Sequence, residues 1–514
     1  MTDRTSHGLR LLTLGALLSG GVGLHLAAAR PAPGPMAPAG DFDWCVAPGQ
    51  TLLIDTSFTQ LVGGPHCVPT QTSAVVNGQL DVRNVWIQEG ATVRVQGPHP
   101  LVIQATGAVR IDGTLDVSGF SSAGVTSLNT TSVPELGAAG VAGGGRGGTG
   151  SPATSASSIF GGPGFGAFGA AASGGGGGET GWTNVSQQVD QRRGGGGGGG
   201  ALGANQAQTG PAQLGDWDQS YIGLDVEAGF ANKDANAQGA ATGPAGPFGG
   251  RPGAQPFFDG DPSNDFFGVA IDANGNATVG ELAQPWAGAG GGGGGDASFV
   301  PNGGVFPNLP FSPTGDEKGG SGGGGGGSLS ILAVGDIVFG PHGLILARGG
   351  SGGGGENTSF LNRAGGAGGG GSGGHVILQT LGVIDLRQSM GASSVPGVLA
   401  GGVLATGGQG GVGRNNLGGA SLGASGIQET APALDACPKT LAGGDYPTSG
   451  ENACVGLVDG AGGDGGPGIV QLHTRSGLDP QAPSILLPAG VELGQLIVPA
   501  PVCSAPGCHL VPGL

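Results

Sequence analysis

Few stretches of this chain hold residues able to do chemistry, and the densest lies between residues 259 and 276. There Asp259, Asp261, Asp265 and Asp272 stand close to Asn264, Asn274 and Asn276 in the run DGDPSNDFFGVAIDANGN. Carboxylate and amide oxygens on a glycine-rich backbone suit calcium, a hard cation that takes oxygen ligands. Asp272, Asn274 and Asn276 also mimic the start of an EF-hand loop. Ala277, however, stands where that loop needs glycine, and Ala283 where its closing glutamate belongs. A solvated acidic loop is the plainer reading of the cluster. The sequence suggests no cofactor besides this calcium.

Other candidate chemistries lack the context they need. Ser321, Ser351 and Ser372 each satisfy G-x-S-x-G, but polyglycine flanks them where a nucleophile elbow needs a strand before and a helix after. Asp459 and Asp464, in VDGAGGDGGPG, resemble a calcium-binding glycine nonapeptide, of which one copy makes no array. Asp112, Asp336 and Asp385 occupy similar places in repeated segments, so stacking of those segments would put them on one surface, as sugar cleavage by paired carboxylates would require. Outward polar positions of strands are ordinarily just solvated. Asn129, Asn184, Asn276 and Asn357 begin N-x-S/T triplets, which matter only in a glycosylating host.

The elements that would position these residues begin with an address. Arg4 and Arg10 precede an apolar run from Leu11 to Leu26 and then Ala27, Ala28 and Ala29, the layout of a signal peptide spanning residues 1–29. The run is short and glycine-interrupted for a membrane anchor, and no other segment reaches membrane-spanning length. The six cysteines suit an oxidising compartment and lie as neighbours: Cys45 with Cys67, Cys437 with Cys454, and Cys503 with Cys508. Neighbouring pairs close the cheapest loops, although six cysteines allow about fifteen pairings. His509 beside Cys508 does not change that reading. A net charge of −17 opposes binding to nucleic acid or anionic lipid.

With 122 glycines and 36 prolines in 514 residues, the chain is rich enough in both to raise disorder. Its hydrophobic content of 37% and charged content of 10% argue instead for a folded, glycine-rich β protein. After a Pro/Ala linker at 30–40, residues 41–119 carry strand-like apolar positions and form an expected N-terminal cap with a first repeat. Within it Ile103, Ala105, Gly107, Val109 and Ile111 fall at every second position, and Leu115 and Val117 resume the alternation.

The same phrase returns downstream. Ile331, Ala333, Gly335, Ile337 and Phe339 fit the first template, with Leu344 and Leu346 answering Leu115 and Val117. Leu378, Thr380, Gly382, Ile384 and Leu386 fit it again, and a degenerate copy covers 466–477. Repeats so far apart predict an all-β fold, a parallel β-helix-like solenoid that stacks like with like and tolerates long insertions. An antiparallel sandwich would show alternation but would not need the phrase to recur. The repeats at 321–477 are followed by a proline-spaced C-terminal cap at 478–514.

The insertion at 120–320 has no alternation. Glycine runs such as 174–178, 194–200 and 290–295 alternate with pieces carrying Phe165, Phe168, Trp182, Trp217 and Trp286. Two accounts remain open: a flexible linker, or polyglycine-II strands that bond laterally because they have no internal hydrogen bonds, with aromatics at their edges.

The GGAGGGG tracts and the GTLDVSG phrase carry a resemblance, across roughly 107–477, to glycine-rich exported proteins of the bacterial envelope of the PE-PGRS-like type. The Pro-Glu domain of that family is absent here. The tracts also resemble phage receptor-binding tips built from packed polyglycine helices. The likeness to those tips implies a surface or recognition role. The export signal, the repeats and the absence of a catalytic constellation point to a non-enzymatic protein, secreted or on the outer cell surface, that serves adhesion or assembly. Its partners would be cell-surface or matrix components such as glycans, or further copies of itself. A polysaccharide-active β-helix enzyme is the alternative, and ice binding a third reading that lacks a recurrent Thr-x-Thr ladder.

Overall fold

The computed structural model describes residues 43–63, 72–125, 133–152, 161–169, 174–175, 197–200, 202, 269–271, 277–279, 285–295, 318–358, 363–390, 400–411, 462–474 and 485–499. Over these residues the protein is all-β, with no α-helix and with long parallel sheets, consistent with a β-helix-like fold. The chain visits three sheets in rotation. Leu101–Ala105 lies in the first, Val109–Ile111 in the second and Thr114–Asp116 in the third. Ser328–Ala333, Ile337–Phe339 and Leu344–Leu346 repeat the circuit, as do His375–Thr380, Ile384–Asp385 and Gly402–Leu404. Gln79–Val82, Val85–Ile87 and Thr92–Gln96 make the layer before them, and Ile469–His473, Ile485–Leu486 and Ile497–Val498 the layer after.

Register follows the apolar phrase. Ile103 pairs with Leu80 on one side and Ile331 on the other, Ile331 pairs with Leu378, and Leu378 pairs with Leu472. All five side chains are buried in one continuous core. A parallel sheet brings equivalent positions of successive layers side by side, so each layer covers the apolar face of the next. Core residues of this size contribute about 2–5 kcal/mol each against truncation to alanine.

Two details depart from the sequence reading. The alternation from Ile103 to Ile111 is no single strand: it turns a corner at 106–108 between Leu101–Ala105 and Val109–Ile111, with parity kept through the bend. Further on, Ile345 pairs with Leu115, while Leu344 pairs with Thr114 and Leu346 with Asp116. The corner at 340–343 is two residues longer than its counterpart at 112–113, so Ile345 rather than Leu344 matches Leu115 and faces inward, and Leu344 and Leu346 lie on the outer face.

The glycine common to the three copies sits at that first corner, where adjacent layers approach closely. A Cβ on Gly107 would lie 2.0 Å from Oδ1 of Asn84, and one on Gly382 would lie 2.1 Å from Oδ1 of Asp336. Those oxygens are occupied: Asn84 Oδ1 accepts the N–H of Ala108 at 2.8 Å, and Asp336 Oδ1 accepts the N–H of Val383 at 2.9 Å. An Asn or Asp side chain stands at this corner in every second layer, Asn84 and then Asp336, and fills the space beside the glycine of the next.

At the first edge, Trp44–Val46 pairs with Val85–Ile87 and Thr51–Asp55 with Thr92–Gln96. An antiparallel meander, Gln60–Gly63 with Thr72–Val76 and then Gln79–Val82, ends the first sheet. At the other edge Leu487, Val491 and Leu493 pack on the core beside the last layer. No helix among the described residues is long and apolar enough to cross a membrane.

Candidate functional site

The glycine tracts start where the third sheet stops. Thr114–Asp116, Leu344–Leu346 and Gly402–Leu404 run straight on into 117–125, 347–356 and 405–411. Tracts 318–327, 365–374 and 462–468 lead back into the strands of the first sheet. Tract-to-tract hydrogen bonds recur every third residue. The N–H groups of Gly119, Ser122 and Val125 reach the carbonyls of Arg348, Ser351 and Gly354, at 2.8, 2.8 and 3.1 Å. Those of Gly144, Gly147 and Gly150 reach, in antiparallel order, Val141, Ala138 and Glu135.

Tract 318–327 shows the arrangement in full. It donates to 145–151, to 366–372 and to 117–120, and it accepts from Ala138, from 288–294 and from 350–356. Tracts 286–295 and 365–374 are likewise enclosed on all sides. No Cβ fits at most of these contacts: one on Gly322 would stand 2.0 Å from the carbonyl oxygen of Gly291, and one on Gly371 would stand 2.1 Å from that of Gly324. The glycines are therefore required by packing, since backbone must approach backbone on every side.

The serines that mimic a hydrolase motif belong to this packing. Ser321 Oγ lies 2.7 Å from Ser122 Oγ, Ser372 Oγ accepts the N–H of Ala289 at 2.8 Å, and the N–H of Ser351 donates to Ser121 Oγ at 3.0 Å. The Ser372 and Ser121 hydroxyls thus take backbone N–H groups in place of a neighbouring carbonyl, and Ser321 bonds hydroxyl to hydroxyl.

The two ends of the bundle differ. Beside the sheets, Trp286 meets Phe168 edge to face at a centroid distance of 5.6 Å, and its backbone N–H donates to Nδ1 of His375 at 3.1 Å. At the far end Lys318 and Glu356 are buried. The Lys318 N–H donates to Oε2 of Glu356 at 3.0 Å, and Lys318 Nζ stands 3.7 Å from Oε1 of Glu135. Hydrogen bonds align Val125 with Gly354, Ser151 with Gly294, Lys318 with Glu356, and Gly411 with Gly462, so all these residues share the far end. The segments 126–132, 153–160, 296–317 and 412–461 are joined to the fold at that end.

No family model, curated protein or solved structure matches this chain.

The candidate carboxylates are not brought into a pair. Asp112 is buried, and its Oδ2 accepts both the indole N–H of Trp86 and the Nε–H of Arg110, each at 2.7 Å. Asp336 serves the corner described above. Asp385 pairs with Arg387 at 2.7 Å, and that bond to the guanidinium holds its carboxyl below the usual range. Among the described residues no group of three His, Cys, Asp or Glu could hold a metal. Asp259, Asp261, Asp265 and Asp272 lie outside the described residues, as do Asp459, the signal region 1–29 and the linker 30–40. So do Cys67, Cys437, Cys454, Cys503 and Cys508, whereas Cys45 is buried on the edge strand Trp44–Val46. Asp464 Oδ1 accepts the N–H of Gly410 at 2.7 Å, a role within the glycine bundle.

The sequence does carry one signal of the bundle. Outer tracts carry larger residues three apart, as at Val133, Leu136 and Ala139, at Arg146 and Thr149, and at Thr406 and Gln409.

Proposed function

We propose that this chain is a non-enzymatic exported surface or matrix protein, a β-helical solenoid carrying a polyglycine-II bundle that displays inserted segments for adhesion. The observation that carries the reading is the shared far end: tract after tract runs out from the sheets and turns back at one level. The three-residue recurrence of the tract-to-tract bonds supports polyglycine-II, which has three residues per turn and no bonds within a strand. Rotation of the strands through three parallel sheets supports the solenoid. A support of this kind is stiff, because each tract is tied to its neighbours throughout, and the tract ends from which segments depart lie together far from the sheets. The signal-like N-terminus supports export, and cell-surface glycans or matrix components are the partners proposed.

The test compares the purified full chain with a variant in which 296–317 and 412–461 are replaced by short Gly/Ser bridges, in binding to cells and to a glycan panel. Loss of binding in the variant supports display from the far end. Absence of binding by the full chain to cells, glycans and matrix polymers refutes adhesion, and release of products from a polysaccharide refutes the non-enzymatic assignment.

A further inference from the structure

The tract-to-tract bonding of the glycine lattice must end somewhere at its flanks. A glycine tract with open amides and carbonyls on one side resembles the edge of a β-sheet, which recruits other chains unless it is protected. Tract 133–141 is such an edge. It faces 144–150, Ala138 donates to Gly322 and Phe120 donates to Ala139, while on the outer side the amides of Leu136 and Ala139 donate to no group among the described residues.

What that side does carry is side chains. Val133 and Leu136 are 63% and 65% exposed, and Ala139 is exposed with them, so one row of the tract bears a Cβ at every third residue. The next tract does the same with Arg146 and Thr149, and Arg146 Nε also donates to the carbonyl of Gly137 at 3.1 Å. Elsewhere on the flank hydroxyls cover the amides instead: Ser118 Oγ accepts the N–H of Arg348 at 3.1 Å and Ser121 Oγ that of Ser351 at 3.0 Å. Interior tracts 288–295 and 319–327 hold nothing larger than alanine or serine. Where two tracts touch, a Cβ would commonly fall about 2 Å from a carbonyl oxygen, as at Gly325, 2.2 Å from Gly288. Isolated Cβ atoms such as those of Ala289 and Ser372 are accommodated inside, but a row that bears one at every third residue leaves no continuous backbone contact for another tract.

We propose that the three-residue row Val133, Leu136 and Ala139, with Arg146 and Thr149 beside it, terminates the glycine lattice and keeps it from adding a tract of a second copy of this chain. The bundle is finite because its outer rows have Cβ atoms, not because its hydrogen bonds are exhausted. The contact this edge makes is one-way: 144, 147 and 150 all donate to 135–141. Donor side then meets acceptor side, so a contact between copies would be heterologous and open-ended. Uncapped copies would form extended chains rather than closed dimers.

The test uses two full-length variants and sedimentation velocity over rising concentration. Val133→Gly/Leu136→Gly/Ala139→Gly bares the row, and Val133→Ser/Leu136→Ser/Ala139→Ser keeps every Cβ while removing the apolar groups. The expected result is open-ended association of the glycine variant alone, its weight-average mass rising several-fold while the wild type and serine variant stay unchanged. Equal behaviour of the glycine and serine variants overturns the proposal. If the glycine variant loses the amide-exchange protection of 319–327, Arg146→Gly/Thr149→Gly takes its place, and absence of concentration-dependent association there overturns the proposal. None of these outcomes alters whether the far end binds cells, so display and termination stand or fall separately.

Discussion

The backbone N–H of Trp286 donates to Nδ1 of His375, which leaves the ring proton on Nε2, and Nε2 lies 3.0 Å from Oε1 of Gln471. This imidazole is wholly buried, joins a glycine tract to the first sheet, and is neutral by geometry: protonation would set an N–H against the N–H of Trp286.

Burial pushes the His375 pKa down to about 4 from the ordinary 6.5, and the bond to Gln471 only partly opposes it. The unfolded chain therefore takes up a proton that the folded chain refuses between those values. Stability is fully present above pH 6.5 and falls as pH drops towards 4, by about 3 kcal/mol at most. In denaturant titrations across pH, His375→Asn, which keeps an acceptor for Trp286, is expected to remove this slope. An unchanged slope would refute the assignment.

Gly325→Ala places a Cβ 2.2 Å from the carbonyl oxygen of Gly288, whereas Gly494→Ala meets nothing within 4 Å. The first should destabilise by about 1–3 kcal/mol or more, as overpacking does, and the second should stay within about 0.5 kcal/mol of wild type. Thermal unfolding compares the two.

Gly107→Ala collides with Oδ1 of Asn84 at 2.0 Å, and Asn84→Ala removes that atom together with its bond to the Ala108 N–H. The double variant is therefore expected to cost less than the sum of the singles, with a coupling of about 1 kcal/mol or more. Strict additivity would mean that the corner relaxes by another route.

Lys318 is buried beside Glu356, whose carboxylate takes the Lys318 N–H, and near Glu135. Lys318→Met keeps the backbone bond to Glu356 but takes the cation away from the Glu135 carboxylate, and about 1–3 kcal/mol of stability should be lost. Adding Glu135→Gln should restore part of it. Failure of that rescue would show that the lysine acts through packing alone.

The sequence by itself determined the periodicities. Alternation around Ile103, Ile331 and Leu378 stated that these segments are strands with one buried face, and recurrence of the phrase stated that they lie beside one another, because like residues pack in register only when layers stack. Only the tertiary structure decided where the chain bends: a corner at 106–108 preserves alternation and so leaves no mark in it, and the longer corner at 340–343 shifts Leu344 and Leu346 outward. The glycine expanses were legible in composition but not in arrangement, since a tract without side chains carries no pattern to say what it touches. Their partners are fixed by backbone hydrogen bonds between residues far apart in the chain, as between Gly119 and Arg348, and by the absence of room for a Cβ. The same reason separates the candidate chemistry from the fold. Asp112, Asp336 and Asp385 recur in sequence as a catalytic set might, and it is their local partners, Trp86 with Arg110, Val383 and Arg387, that make them parts of the wall.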